Sequence, residues 1–473
     1  MAVQTIQIDP ISRVSGLLSI SVTIENGRII DAKSSGMQIR GFESMLQGRY
    51  PLDTIRLTAR TCGICSCAHS VVSSLALEMA LGIKPDLNGQ LLRNMALGFE
   101  TLQNTIRQTY QFLIPDYVDM TGISPLFKTT SPEVNDYRLP KEMNERLKSH
   151  YLEAIKYARS AHKAEAVLAG KAPHTHGIFV GGITTNYDIN QYAVIKPILK
   201  EIKDFMKNNM QEDLLTIAEY YPEYLDWGKS GGNYLSYGFF SELTEEFVVA
   251  RSGVLTQGRK GMVNTNMIRE SLTYTWLKTP DDSMQVFHEP PHLNFDKPGA
   301  YSWVEAPRYG GKAYEVGPLA DVLVNGIYTQ GTGALHRILA RYIMTRQIID
   351  KMEKMLEAAH FQPAYQEAWQ IPNQAEGYAL IGAPRGGLLH WLSIENKMIK
   401  NYSLLPPSTW NMSPMDENNI HGAVEQALID TPIDDIEQAE TIVGRIVRSF
   451  DPCLNCAAHI ASDQRPPFDF QII

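Results

Sequence analysis

The sequence predicts an α-rich α+β fold, a large central helical bundle with a small N-terminal antiparallel sheet, on three observations. Apolar residues recur every three or four positions through five long segments between about 71 and 359. Apolar and polar residues alternate along 17–33. No internal repeat or low-complexity linker divides the 473 residues, so 1–473 reads as a single domain.

The elements follow in chain order. In LLSISVTIENGRIIDAK, the alternating runs flank Asn26-Gly27, a dipeptide that accepts the positive φ angles of a tight hairpin. Dense apolar residues from Val71 to Leu81 end at Gly82 and predict a helix. Leu92, Met95, Phe99, Leu102, Ile106, Tyr110 and Leu113 predict a long second helix reaching Pro115. Helical spacing returns over Lys141–Leu168 with Gly170 as a stop, over Ile189–Met210, and over Gly333–Ala359. Ile178–Val180 and the Pro- and Gly-rich stretch 279–318 predict short strands and irregular loops.

Hydrophobic residues at 44% and charged residues at 20% are the balance of a soluble globular protein. A net charge of −9 gives no basic surface for nucleic acid, so no nucleic-acid partner is expected. The start MAVQTIQIDP lacks the basic and apolar regions of a signal peptide, and no run of about 18 apolar residues is present.

Five cysteines are too few for a disulfide framework in a chain of this size. Cys62, Cys65 and Cys67 lie near one end, Cys453 and Cys456 near the other. Each group contains a CxxC, and two such turns supply four soft sulfur ligands for zinc, iron-sulfur, nickel or copper(I). A structural zinc knuckle is the bland expectation. Joining positions about 390 residues apart costs about 5 kcal/mol of loop closure, so the metal cannot nucleate a small finger. It belongs inside a fold built by the rest of the chain, which favours a catalytic site.

Two other patterns fail. His288-Glu289-Pro290-Pro291-His292 matches HExxH, but its prolines exclude the helix that motif needs. Gly228-Lys229-Ser230 lacks the first glycine of a P-loop, which is Glu223 here.

The cysteine motifs carry a resemblance. Arg60, Cys62, Gly63, Cys65 and His69 match RxCGxCxxxH, and Asp451, Pro452, Cys453, Cys456 and His459 match DPCxxCxxH, the two signatures of nickel-iron hydrogenase large subunits. Arg40–Glu43, Lys171–His174, Tyr301–Arg308, Glu315–Leu319, Ala383–Gly386 and Pro407–Asn411 also resemble that family's blocks, in order. The chain is therefore similar to that family over essentially its whole length.

The resemblance implies reversible cleavage of H2 at a nickel-iron centre whose iron carries carbon monoxide and cyanide. Cys62 and Cys453 are implied terminal nickel ligands; Cys65 and Cys456 are implied bridges to iron. Cys453 is the expected first proton acceptor. Arg385 is the expected guanidinium over the open site, polarising hydrogen. His69 is expected to donate to the sulfur of Cys65. Glu43, the carbonyl of Leu404 and His459 are implied ligands of Mg2+. Cys67 lies outside the pattern and is expected to be a small buried residue.

Three positions depart from the family. Ser15 stands where a glutamate normally passes protons, Asn104 where an aspartate normally lies near the arginine, and Gly382 where a glutamate often precedes Ala-Pro-Arg. A hydroxyl can relay a proton but cannot store it near neutral pH. These departures keep two alternatives in view, a hydrogen sensor or weakly active paralogue and a structural zinc-binding protein. A metal-free quinone-site subunit of respiratory complex I is opposed by the four cysteines.

With four of five thiols committed to metal, the chain builds no iron-sulfur relay, and the resemblance implies an iron-sulfur small subunit as electron partner. It further implies nickel-insertion proteins and a maturation protease acting after His459. Ile460–Ile473 is the expected removable extension. Compartment stays open between the cytoplasm and export, membrane-associated, beside a signal-bearing small subunit.

Overall fold

The computed structural model describes residues 3–123, 136–287, 289–366 and 369–457. Strands β1 (Gln4–Ile8), β2 (Leu18–Glu25) and β3 (Arg28–Gly36) form an antiparallel sheet in sequential order. Asn26 and Gly27 hold φ of 51° and 74°, the paired left-handed conformation expected of the hairpin. β1 extends the sheet beyond the hairpin read from alternation.

Helix α1 (Phe42–Leu46) is short, and α2 (Ser66–Leu81) follows the first CxxC. The central bundle comprises α3 (Leu87–Arg107), α4 (Lys141–Ala169), α5 (Ile189–Phe205) and α6 (Ala334–Ala358). α3 packs on α4, α4 on α5, α5 on α6 and α6 on α3, closing a ring around one apolar core. Gly82 and Gly170 end α2 and α4 at φ of 67° and 76°, as their positions predict. The second long helix stops earlier than its apolar spacing suggests. After Arg107 the chain widens into a π-turn over Gln108–Leu113 and tightens again over Ile114–Asp116. Met206–Met210 makes the same change after α5. Apolar spacing continues through both turns, so the pattern alone does not reveal them.

Strands β4 (Asn233–Phe239) and β5 (Ala250–Thr256) form the middle of a four-stranded sheet. The largest antiparallel unit lies near the C-terminus: β6 (Gln374–Ala383), β7 (Gly386–Glu395) and β8 (Met398–Leu405). α2 lies across this sheet, so closely that a Cβ at Gly377 would meet the Ala76 carbonyl at 2.1 Å. Helices α7 (Ala439–Ser449) and α8 (Leu454–Ala457) then bring the second CxxC back to the first.

The chain ends meet through defined contacts. Ser15 N–H donates to Pro452 O at 3.2 Å and Leu454 N–H to Ser15 O at 2.7 Å. Asp116 accepts from Arg13 at 2.5 Å and from Arg448 at 2.7 Å, tying three distant segments in one buried cluster. His292 lies in a short strand, so the HExxH match has no helix; His288 is outside the described residues. Among the described residues no helix is long and apolar enough to cross a membrane.

Candidate metal centre

Each thiol is placed by a different local device. Cys62 follows the tight turn Ala59–Thr61, and Cys65 is the N-cap residue of α2. Cys453 sits in a backbone bridge with Ser15, its N–H donating to Ser408 Oγ at 2.9 Å. Cys456 belongs to α8. Gly16 permits this approach: at φ 87°, an added Cβ would lie 2.8 Å from Asn455 N.

The four sulfurs lie within 4.8 Å of one another, all buried. Cys62–Cys453 and Cys65–Cys456 are 3.3 Å apart, and Cys453–Cys456 is 3.2 Å. These separations are too long for disulfides, which need about 2.05 Å. Four convergent buried thiols are a soft donor set of the kind that suits zinc, nickel, copper(I) or iron. Charge concentrates on Cys453, whose pKa is held well below that of an ordinary thiol by donation from Cys456, then Cys62 and Cys65, with Arg385 adding to it.

Arg385 occupies the two-residue turn Pro384–Arg385 joining β6 to β7, a rigid mount for a long side chain. Its Nε donates to Asp451 O at 3.0 Å and lies 3.2 Å from Asp451 Oδ2. Both terminal nitrogens are buried without a hydrogen-bond partner among the described residues. A guanidinium held at one edge and open at the other keeps its charge for a guest, and Cys453, Cys65 and Cys62 all feel that charge. A cavity of about 10 Å³, room for one water, adjoins Arg385, Arg341 and Glu315.

Asp451 is a site residue that the motif contained but spacing could not assign. Its Oδ2 accepts from Asn104 Nδ2 at 2.8 Å and lies 3.3 Å from Arg341 Nη1. Asn104 also accepts from Arg107 at 2.7 Å, so its amide bridges a cation and an anion at this position. Gly382 has its own reason: an added Cβ would stand 2.3 Å from Gly238 O, leaving no room for a glutamate.

Ser15 is 7% exposed, and its Oγ accepts from Asn455 Nδ2 at 2.9 Å. It meets the Cys453 segment through its backbone. His69 departs from its expected contact. No hydrogen bond from His69 to Cys65 is present among the described residues; instead Nδ1 lies 3.0 Å from His390 Nε2, and His390 Nδ1 lies 2.8 Å from the Tyr402 hydroxyl. Burial holds the His69 pKa down to about 4, so the ring is neutral. His390, on a strand buried on both faces, had no spacing signal to announce it.

Glu43 is buried, and its Oε1 accepts from Leu404 N–H at 2.7 Å. The N–H and C=O of one antiparallel residue leave the strand on the same side, so the Leu404 carbonyl also faces outward from edge strand β8. His459 and Ile460–Ile473 lie outside the described residues. Cys67 is fully buried in α2.

A helical body enclosing four convergent buried thiols, with a buried guanidinium nearby, defines a protein with a thiolate site able to hold a metal. The nickel-dependent hydrogenase family profile matches residues 40–131, 124–344 and 328–459. The large subunit of a periplasmic [NiFeSe] hydrogenase from Desulfomicrobium baculatum is 32% identical, over 96% of this chain and 95% of the relative. The hydrogenase-2 large chain of Escherichia coli K12 is 30% identical over 97% of each. The solved Ni-Fe-Se hydrogenase of D. vulgaris Hildenborough superposes with a TM-score of 0.93 at 33% identity, covering 97% of this chain and all of that one. The chain belongs to the nickel-dependent hydrogenase family. All four donor positions here are cysteine.

Proposed function

We propose that the chain is the catalytic large subunit of a nickel-iron hydrogenase, which cleaves H2 reversibly into protons and electrons. The observation that carries this reading is the set of four buried, convergent thiols. Cys62, Cys65, Cys453 and Cys456 would hold the metals, with Cys65 and Cys456 as bridges and carbon monoxide and cyanide completing the iron. When bound, that centre supplies the two-electron chemistry. The protein's own part is then positional and electrostatic. Arg385 polarises the guest with its two unpartnered nitrogens while Asp451 fixes its orientation. Cys453 would take the first proton, because a thiolate bound to one metal is more basic than one shared between two. His69 holds the wall beside the cluster through His390.

Glu43 and the outward Leu404 carbonyl supply oxygen donors for Mg2+, with His459 as the third protein ligand. Electrons leave through an iron-sulfur small subunit, the partner implied by relatives named as large subunits. The whole chain acts as one unit. Nickel-insertion proteins and a protease that removes 460–473 complete its maturation. Its location follows that of the small subunit, and one relative is named periplasmic.

Ser15, Asn104 and Gly382 favour a second reading, a hydrogen sensor or weakly active paralogue. The test is dye reduction under H2 by the matured complex. Sustained turnover that Cys456→Ser abolishes is expected. A nickel-loaded complex without turnover favours the sensor.

A further inference from the structure

Two buried carboxyls near the thiols have no task in that reading. Glu100, on α3, reaches the first turn of α2: Oε1 accepts from Cys67 N–H at 2.6 Å and Oε2 from Ala68 N–H at 2.9 Å. Because Cys65 is the N-cap of that helix, Glu100 lies directly behind the cysteine turn. Glu165 lies on α4, the helix packed along α3, and is 1% exposed. Neither of its oxygens has a hydrogen-bond partner among the described residues. A carboxylate so placed is not tolerated as an anion, whereas a carboxylic acid is.

The surrounding charges agree. Burial pushes Glu100 up to about 8 against opposing pulls from Ala68 and Cys67 N–H and from Arg385 and Arg107. Burial, and then the charge of Glu100, pushes Glu165 well above the usual carboxylate range. The Cys67 thiol faces both carboxyls from α2 and is raised by burial first and then by each of them, while Arg93 opposes the rise. Arg93 is itself paired with Glu78 at 2.7 Å. One turn before Glu165, on the same helix face, half-buried His162 is held down to about 4 by burial and is neutral. Glu100, on α3, thus lies behind the cysteine turn, while Glu165 and half-buried His162 share one face of α4, the helix packed along α3.

We propose that Glu100 and Glu165 form a proton-storing pair linking the thiolate cluster to solvent, in place of the carboxylate that the chain lacks at Ser15. The idea rests on the hydrogenase reading and assigns its proton route. Each hop moves a proton alone: one carboxyl O–H forms as the donor's bond to hydrogen breaks, and no electron moves.

The test uses the matured complex and Glu165→Gln, with two readouts. Infrared spectra in H2O and D2O should show a deuterium-sensitive carboxylic-acid band that Glu165→Gln removes. Release of deuterium from D2 into water should slow at least about tenfold at native nickel and iron content. A variant with native metal content and native exchange overturns the proposal. Should Glu165→Gln lose its metal, the carboxyl band still decides, since a native protein without it also overturns the pair. A native complex with no exchange but with the band would count against the hydrogenase reading and leave the proton pair standing.

Discussion

Arg385 shows how a charge is prepared for work. Burying a guanidinium with two nitrogens unsatisfied is costly, and the cost is met only because Asp451 sits at its other edge. Arg385→Lys keeps the charge but loses the planar fork. We expect native nickel content with turnover lowered by on the order of 10², measured as H2-dependent dye reduction against metal content. Native turnover would remove Arg385 from the chemistry. At this scale the sequence was legible where chemistry dictates spacing: two CxxC turns name four thiols without coordinates. Asp451, Glu100 and His390 were not legible in these roles, because a counterion, a buttress and a ring contact are defined by neighbours hundreds of positions away or on another helix.

Among the elements, legibility follows the local code. Asn26-Gly27, Gly82 and Gly170 mark a hairpin and two helix ends because only a few residues accept those φ angles. The sheet β6–β8 escaped that code. Nine of ten residues of β7 are buried, so it has no alternation to read. Its tight turn then presents Arg385, and its edge presents Leu404 to Glu43. Gly16 plays a comparable part where the N-terminal segment meets the C-terminal loop. Gly16→Ala adds a Cβ both at a left-handed φ and 2.8 Å from backbone. We expect a loss of more than about 1 kcal/mol in stability, read from thermal melts, together with weaker metal retention. A melt unchanged from native would show that the two segments are not locked there.

In the whole molecule, the two cysteine pairs are separated by nearly the full chain and brought together by the fold. The bundle α3–α6, the backbone bridge at Ser15 and the Asp116 cluster close that distance through contacts of the chain itself. Such a site is held by its protein rather than holding it together, which suits a centre that must change state during turnover. Four buried thiols converging from opposite ends of the chain are the soft donor set on which the proposed nickel-iron function rests. Metal analysis combined with infrared spectroscopy of the matured complex tests this most directly. The account predicts about one nickel and one iron per chain, with carbonyl and cyanide bands in a window free of protein absorption. Stoichiometric zinc without those bands, after competent maturation, would contradict it.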